Sequence, residues 1–491
     1  MKTDYLSIEE KNNLYEKLLS YSKSNYYPFH MPGHKRNAQY ALTDPISIDI
    51  TEITDFDNLH HSEGILLREQ QFAAKLYGAG ESFFLVNGSS CGVLSAISAC
   101  VKKGGKLLIC RNAHKSVYHA AYLRELRLFY LMPEESDIGF PYPMAEDAVE
   151  KALQESGDIE AVLITSPTYE GFVADIKAIA RVVHARHIPL IVDEAHGAHL
   201  GFHNFFPQNA LSQGADIVIQ SMHKTLPSLT QTALLHVGKE AGKYVDVSKI
   251  KRFLGIYQTS SPSYVFMGAM AKCLRDINKE QFEQYAARLK DFYKRCSTFK
   301  YIHVYETKEE SFVKDPSKLI LYVDGDRMKG QELFDCLRDR YHLECEMASL
   351  KYVLAMTSVC DTDEGFDRLF AALQDMDSLL AQGGKEETGK DICGKSKGKQ
   401  NLPEISRTIA KALDEAETKT VKLEESAGCV SGEYIYCYPP GTPIIVPGER
   451  IRTEELMYIK RCREEGLCVQ GTEDYSIGQI KVIKENFVGK E

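Results

Sequence analysis

Between positions 81 and 237, short apolar runs alternate with stretches of helical periodicity. The runs read SFFLV at 82–86, KLLIC at 106–110, AVLIT at 161–165, PLIVD at 189–193, DIVIQ at 216–220 and ALLHV at 233–237. Each run is nearly continuous in apolar residues, the pattern of strands buried on both faces. Strands of that kind separated by helices predict an α/β fold with a mostly parallel sheet covered on both sides. Ligands of such sheets bind beyond the carboxyl ends of the strands. The strand ends that matter are then Asn87, Arg111, Ser166, Asp193 and Ser221.

On either side of this region the pattern changes. The first thirty residues read as a polar helical arm that suits a neighbouring subunit. A helical region from Met267 to Phe299 leads to KLILYVD at 318–324 and KYVLAMT at 351–357, the strands of a smaller α+β domain. QGGKEETGKDICGKSKGKQ at 382–400 is rich in glycine and lysine and nearly without apolar residues, as a flexible linker is. The expected division is an arm at 1–30, a large domain at 31–270, a small domain at 271–381, the linker at 382–400 and a C-terminal domain at 401–491.

The chain has 491 residues, too many for one core, with 44% hydrophobic and 26% charged positions. Its net charge of −10 argues against a partner of nucleic acid, which calls for a basic excess. The N-terminus lacks the apolar core of a signal peptide, and no apolar run reaches the length of a membrane span. Thirteen cysteines are scattered without zinc spacing, so neither a metal site nor a disulfide framework is expected. A cytoplasmic protein with reduced thiols is the expectation.

The strand ends carry the chemistry. VNGSSCGVLSAISAC at 86–100 runs from strand through a glycine turn into a helix. Free amides at such a turn, with the helix dipole behind them, make a phosphate seat. An ordinary turn capped by Ser89 or Ser90 reads the same way. RNAHKSVY at 111–118 puts His114 past a strand, where it suits a flat ring or a structural role. SPTYEG at 166–171 offers the hydroxyls of Thr168 and Tyr169. LIVDEAHGAHLG at 190–201 puts Asp193 at the tip of an apolar strand, needing a cationic or hydrogen-bonding partner; a helix cap is the alternative. SMHK at 221–224 then adds a lysine on the same sheet edge. A phosphate seat, a ring partner, an acid and a lysine together are what pyridoxal 5′-phosphate requires.

These motifs resemble the ornithine/lysine/arginine decarboxylases. The resemblance runs through FHMPGHKR (29–36), DFDNLHHSEG (55–64), VNGSS, RNAHKS, SPTYEG, DEAHGAH, SMHKTLPSLTQ and QTSSPSY (258–264), and resumes at YPPGTPIIVPGE (438–449). It implies the pyridoxal-phosphate-dependent fold type I, aspartate-aminotransferase-like, with a mostly parallel sheet of the seven-stranded type. It also implies Lys224 as the lysine that binds the cofactor, with Ser221, His223, Ser89, Ser90 and Cys91 on the phosphate side and Thr168 nearby. His114 would stack on the ring, and Asp193 would pair with the ring nitrogen, with His196 close to it. Thr259 and Ser260 would complete the seat of a neighbouring subunit, making the active unit a homodimer, with larger assemblies left open. His223 or Lys224 would return a proton to the substrate carbon.

Only about thirty residues precede MPGHK, so the chain resembles the short form without a receiver-like N-terminal domain. The substrate implied is a basic amino acid, arginine first and then lysine or ornithine, decarboxylated to a polyamine-pathway amine. Acidic candidates for its side chain are Glu433, Asp55 and Asp57. Alternatives are an aminotransferase or lyase, for which Arg450 and Arg452 are candidate carboxylate ligands, and an inactive regulatory homologue. Retention of Lys224, Asp193 and His114 together argues against the last.

Overall fold

The computed structural model describes residues 14–307, 312–325, 327–382, 402–439 and 441–485. The expected linker at 382–400 lies outside these, except for Gln382 at a helix end.

The central sheet has seven strands: β1 (Glu81–Leu85), β2 (Lys106–Cys110), β3 (Arg127–Leu131), β4 (Ala161–Thr165), β5 (Leu190–Asp193), β6 (Ile217–Gln220) and β7 (Ala233–Val237). Their order is β1-β7-β6-β5-β4-β2-β3. Only β7 runs against its neighbours; the other pairings are parallel. Six of the strands stand where the apolar runs predict them. β3 does not announce itself, because RLFYL opens on an exposed arginine, alternates in burial and sits at the sheet edge. β5, β6 and β7 are buried at every position, which is why their sequences do not alternate.

Helices cover both faces. α1 (Leu14–Ser22) precedes the sheet, followed by α2 (Ile65–Tyr77), α3 (Gly88–Cys100), α4 (Lys115–Leu123), α5 (Glu146–Glu155), α6 (Ile176–His184), the single turn α7 (Met222–Thr225) and α8 (Val247–Tyr257). One core packs Leu107, Ile109 and Ile219 against α3, α4 and α8; the other packs Leu108, Val162 and Val192 against α5 and α6. The expected helical region resolves into α9 (Tyr264–Asp276) and α10 (Lys279–Cys296), broken where Asn278 accepts the Gln281 amide at 3.0 Å as a cap.

A smaller antiparallel sheet contains β8 (Ile302–Val304), β9 (Lys318–Val323), β10 (Met347–Ala348) and β11 (Tyr352–Met356), with α11 (Gly330–Tyr341) and α12 (Asp363–Gln382) packed on it. The N-terminal segment Tyr27–Phe29 pairs in parallel with Leu343–Cys345 of the same chain, so this part of the arm belongs to the small domain's edge. α1 has no buried residue.

Beyond residue 401 come β12 (Thr418–Lys422), β13 (Ile435–Cys437), β14 (Pro443–Ile445), α13 (Thr453–Glu464), β15 (Val469–Gln470) and β16 (Gln479–Ile483). Ile435, Ile445, Ile459 and Val482 give this unit a core of its own. Arg111, at the end of β2, fastens it to the large domain. The guanidinium donates to the carbonyls of Pro443 (2.6 Å) and Ile444 (2.9 Å) and pairs with Glu449 at 3.0 Å, all out of solvent. Among the described residues no helix is long and apolar enough to cross a membrane.

Candidate active site

The parallel register of β4, β5 and β6 sets Thr165 opposite Asp193 and Asp193 opposite Ile219. The strand ends after them therefore share one edge. Asp193 is buried and accepts the Ala195 amide through Oδ1 at 3.2 Å. Burial pushes its carboxyl above the usual range, and the nearby Lys224 charge opposes that. Lys224 sits on α7, directly after β6, and its Nζ stands 3.0 Å from Nε2 of His196. Burial holds the Lys224 amine below an ordinary lysine, against the pull of Asp193 and Glu346. Burial, with the Lys224 charge nearby, holds His196 well below the usual imidazole range, so the neutral ring carries one proton, on the Nε2 that faces Lys224 or on Nδ1. That Nδ1 is buried without a partner.

The phosphate seat predicted at 88–91 is the first turn of α3. Asn87 gives this helix no side-chain cap; its Oδ1 accepts the Thr259 amide at 3.1 Å instead. The first-turn amides at Ser89 and Ser90 are thus left for an anion. Cys91 donates its thiol to the Gly88 carbonyl at 3.0 Å, and burial pushes that thiol up to about 12, so only its backbone is offered. Ser221 is fully buried and its hydroxyl has no partner. Thr259 and Ser260 are exposed beside the α3 start of their own chain, with the Thr259 carbonyl 2.8 Å from Nε2 of His60.

His114 caps α4, its Nδ1 taking the Ser116 amide at 3.3 Å and the Ser116 hydroxyl at 2.9 Å. Burial, with Lys224 and Lys115 nearby, lowers it to about 3, so the ring is neutral. The turn carrying Tyr438 and Gly441 lies over it. Lys115 donates its amide to the Gly441 carbonyl at 3.3 Å and sets its ammonium 5.3 Å from the centres of both the Tyr436 and Tyr438 rings. His223 is fixed through Nδ1 to the Thr232 carbonyl at 2.9 Å; burial lowers it to about 4, leaving a neutral Nε2. Its own carbonyl accepts the Gly33 amide at 2.7 Å, which docks the MPGHK segment against α7.

Four expectations are redirected by the structure. The Thr168 hydroxyl is buried in its own turn, accepting the Phe172 amide at 3.2 Å, and the neighbouring Tyr169 faces the site instead. Asp57 spends its carboxylate on the amides of Asn58, Glu63, Gly64 and Leu66, at 2.8–3.1 Å, where it caps the approach to α2. Asp55 is exposed on the same loop. Glu433 is buried in the C-terminal unit, taking the Glu473 and Lys481 amides at 2.8 and 2.6 Å. Arg450 and Arg452 pair with carboxylates of their own unit, Arg450 with Glu404 and Glu485 and Arg452 with Glu455.

The acidic group that does reach the site is Glu346, which no motif marks. Its Oε1 accepts the Tyr169 hydroxyl at 2.6 Å and its Oε2 accepts the Met31 amide at 2.8 Å. The Tyr169 ring in turn packs 4.5 Å from the His196 ring. Glu346 lines an open groove of about 380 Å³ with His30, Met31, Phe334, Glu344 and Cys345. Two further buried lysines flank this region. Lys35 donates to the His30 and Met356 carbonyls at 2.8 Å each, and Lys318 lies 3.9 Å from Asp315.

The unfilled amides of α3, the unpartnered Ser221 hydroxyl, the His114 face, the free Oδ2 of Asp193 and the low Lys224 amine match phosphate, ring, ring nitrogen and aldehyde of pyridoxal 5′-phosphate. Known proteins agree. The model of the major domain of Orn/Lys/Arg decarboxylases matches residues 12–305, and that of their C-terminal domain matches 397–471. The arginine decarboxylase of Bacillus anthracis is 32% identical over 98% of this chain and 99% of its own length. That of Bacillus subtilis is 30% identical over 97% and 99%. The constitutive lysine decarboxylase of Escherichia coli superposes with a TM-score of 0.75 at 19% identity, over 96% of this chain and 81% of its own. The chain belongs to the Orn/Lys/Arg decarboxylase family, and is a pyridoxal-phosphate-dependent amino-acid decarboxylase of fold type I.

Proposed function

We propose that the substrate is a basic amino acid, arginine foremost and then lysine or ornithine, converted to CO2 and the corresponding polyamine-pathway amine. The observation that carries the basic side chain is Glu346, a carboxylate oriented by Tyr169 and Met31 within electrostatic reach of Lys224. The full-length relatives named arginine decarboxylase support arginine within that class.

Bound pyridoxal 5′-phosphate supplies an aldehyde for amines and a ring that accepts the electron pair left by CO2. Lys224 would hold the aldehyde carbon, since its lowered basicity favours the unprotonated, nucleophilic amine. Asp193 would hold a proton on the ring nitrogen, a charge pairing that its burial strengthens. His196 shares a hydrogen bond with Lys224 through Nε2 and would keep the amine aimed along the sheet edge. His114 offers its neutral ring face, and the α3 amides with Ser221 anchor the phosphate. The proton returned to the substrate carbon would come from Lys224, or from His223 once its Nε2 has taken one up, because the neutral ring fixed at Nδ1 holds none there. The turn at Tyr438 and Gly441 covers His114 and keeps water from the reacting carbon.

A homodimer in the cytoplasm completes this reading. The exposed Leu14, Tyr15 and Leu18 of α1 suit a subunit contact, and the unpaired cysteines of the described residues suit a reducing compartment. In this reading Thr259 and Ser260, exposed in the single chain, would complete a neighbouring subunit's phosphate seat. The test is CO2 release from arginine, lysine and ornithine side by side with purified protein and cofactor. Release fastest with arginine is expected; a 2-oxo acid without CO2 would make the protein an aminotransferase.

A further inference from the structure

Behind the strand ends lies a row of buried polar side chains that the decarboxylase reading does not use. It crosses four neighbouring strands in the sheet order β1-β7-β6-β5. The Ser82 hydroxyl on β1 stands 2.6 Å from Nδ1 of His236 on β7. Nε2 of His236 stands 3.1 Å from Oε1 of Gln220, the last residue of β6. Nε2 of Gln220 donates at 2.6 Å to Oε2 of Glu194, just past β5, and Oε1 of Glu194 accepts the Ala210 amide at 2.9 Å. None of the four residues is more than 5% exposed. Tyr77 sets its ring centre 4.6 Å from that of His236 and donates its hydroxyl to the Ala198 carbonyl at 2.7 Å.

The row holds two strand ends from behind. Val192 and Val218 pack on the α5 and α6 face, so alternation puts Gln220 on that face and Asp193 on the other. Glu194 and Gln220 are the chain neighbours of Asp193 and Ser221, so their bond is a clasp directly behind the site. Backbone bonds join the same ends, from the Glu194 amide to the Ile219 carbonyl at 2.9 Å and from the Ser221 amide to the Ala195 carbonyl at 3.3 Å. Buried polar groups cost stability, and apolar residues of the same shape would pack these strands equally well. What oriented bonds add is one fixed geometry. The row stays complete in either charge state of Glu194. With the carboxylate ionised, donors run from Ser82 toward Glu194. With it protonated, turning over the Gln220 amide reverses every bond, and His236 then donates from Nδ1 to Ser82. Burial pushes Glu194 up to about 8 while Gln220 and Ala210 pull against it, and His236, lowered by burial to about 3, stays neutral in both states.

We propose that the Ser82–His236–Gln220–Glu194 row positions the cofactor site, its clasp setting the distance of Asp193 and His196 from Ser221 and Lys224. The four are positioning residues, acting through the strand ends. A misplacement of about 1 Å at a reaction site costs up to about a hundredfold in rate, so the gap between these ends matters to the chemistry. The clasp acts by geometry and not by charge. Glu194→Gln rebuilds it with the bonds reversed, whereas Gln220→Leu removes it. The inference rests on the reading of Lys224 and Asp193 as cofactor residues.

The experiment compares the parent, Glu194→Gln and Gln220→Leu as full-length chains, with and without pyridoxal 5′-phosphate. Hydrogen exchange is read by mass on peptides spanning 193–199 and 220–224, and cofactor retention by absorbance after dialysis. Gln220→Leu should speed exchange in those two segments while β2 and β4 stay protected. Its cofactor dissociation constant should rise about tenfold, the lower end of what losing an outer-shell hydrogen bond costs a bound metal. Glu194→Gln should match the parent in both readouts. His236→Leu, one strand farther from the site, carries the same expectation should Gln220→Leu not fold. Exchange raised alike across the whole sheet, unchanged cofactor retention in Gln220→Leu, or equal losses in Glu194→Gln and Gln220→Leu would each overturn the proposal. A parent chain that holds no pyridoxal 5′-phosphate would instead sink the cofactor reading, and the proposal with it.

Discussion

Replacing Arg111 by methionine should loosen the C-terminal unit and open the roof of the site. The guanidinium is 9% exposed and its partner Glu449 is 4% exposed. Methionine fills the space of the aliphatic stem but strands the Glu449 carboxylate and two carbonyls, those of Pro443 and Ile444. Removing one partner of a buried ion pair costs about 3–5 kcal/mol, because the remaining charge stays desolvated. The loss falls on docking, since β14 and Glu449 are what Arg111 holds. Urea unfolding followed by circular dichroism, with limited proteolysis to detect early release of residues beyond 401, measures it. The double variant Arg111→Met/Glu449→Leu should recover most of the loss, because the pair is then gone from both sides. A single variant costing under about 1 kcal/mol, or a double variant as unstable as the sum of the singles, would refute the clamp.

Three further outcomes are expected. Glu346→Gln removes the carboxylate from the groove and should raise KM for arginine by roughly ten- to a hundredfold, the value of a charge-assisted hydrogen bond, with cofactor absorbance unchanged. Gly33→Ala puts a Cβ 2.8 Å from the Leu226 carbonyl oxygen and 2.9 Å from its nitrogen, both backbone; a cost of about 1–3 kcal/mol should appear as a lower Tm and weaker cofactor retention. Stability should fall as pH drops from 6.5 toward 5. His114, His223 and His236 stay neutral when folded, at about 3, 4 and 3, so below 6.5 the unfolded chain binds their protons first. Glu194, pushed up to about 8, acts in the opposite direction and cancels one of them. The net slope is about 1–3 kcal/mol per pH unit, read from urea midpoints of the cofactor-free protein; a flat profile would contradict it.

The sequence made the sheet legible wherever strands are buried on both faces, because continuous apolar runs have one good explanation. It failed at β3, whose edge position lets arginine and alternation in. Lys224, Asp193, His114 and the α3 turn, proposed to hold the cofactor, stand out because each lies at or just beyond the end of such a run. The carboxylate proposed for the substrate side chain, Glu346, is not legible. Glu433 and Asp57 stood near recognisable motifs, yet backbone amides consume both carboxylates, and proximity in sequence says nothing of that. Glu346 lies in an unmarked stretch between two short strands and reaches the site only because the small domain folds back onto MPGHK through Met31 and Gly33. Arg111 is legible only as a strand end; its partners in the C-terminal unit lie more than 330 positions away.

The central claim is that Lys224 carries the cofactor, although Lys35 and Lys318 are also buried close by. Reduction of the cofactor-loaded protein with borohydride, followed by digestion and mass mapping, tests it directly. The account predicts a single pyridoxyl-phosphate mass on the peptide containing Lys224. The same mass on Lys35 or Lys318, or on no lysine, would contradict it.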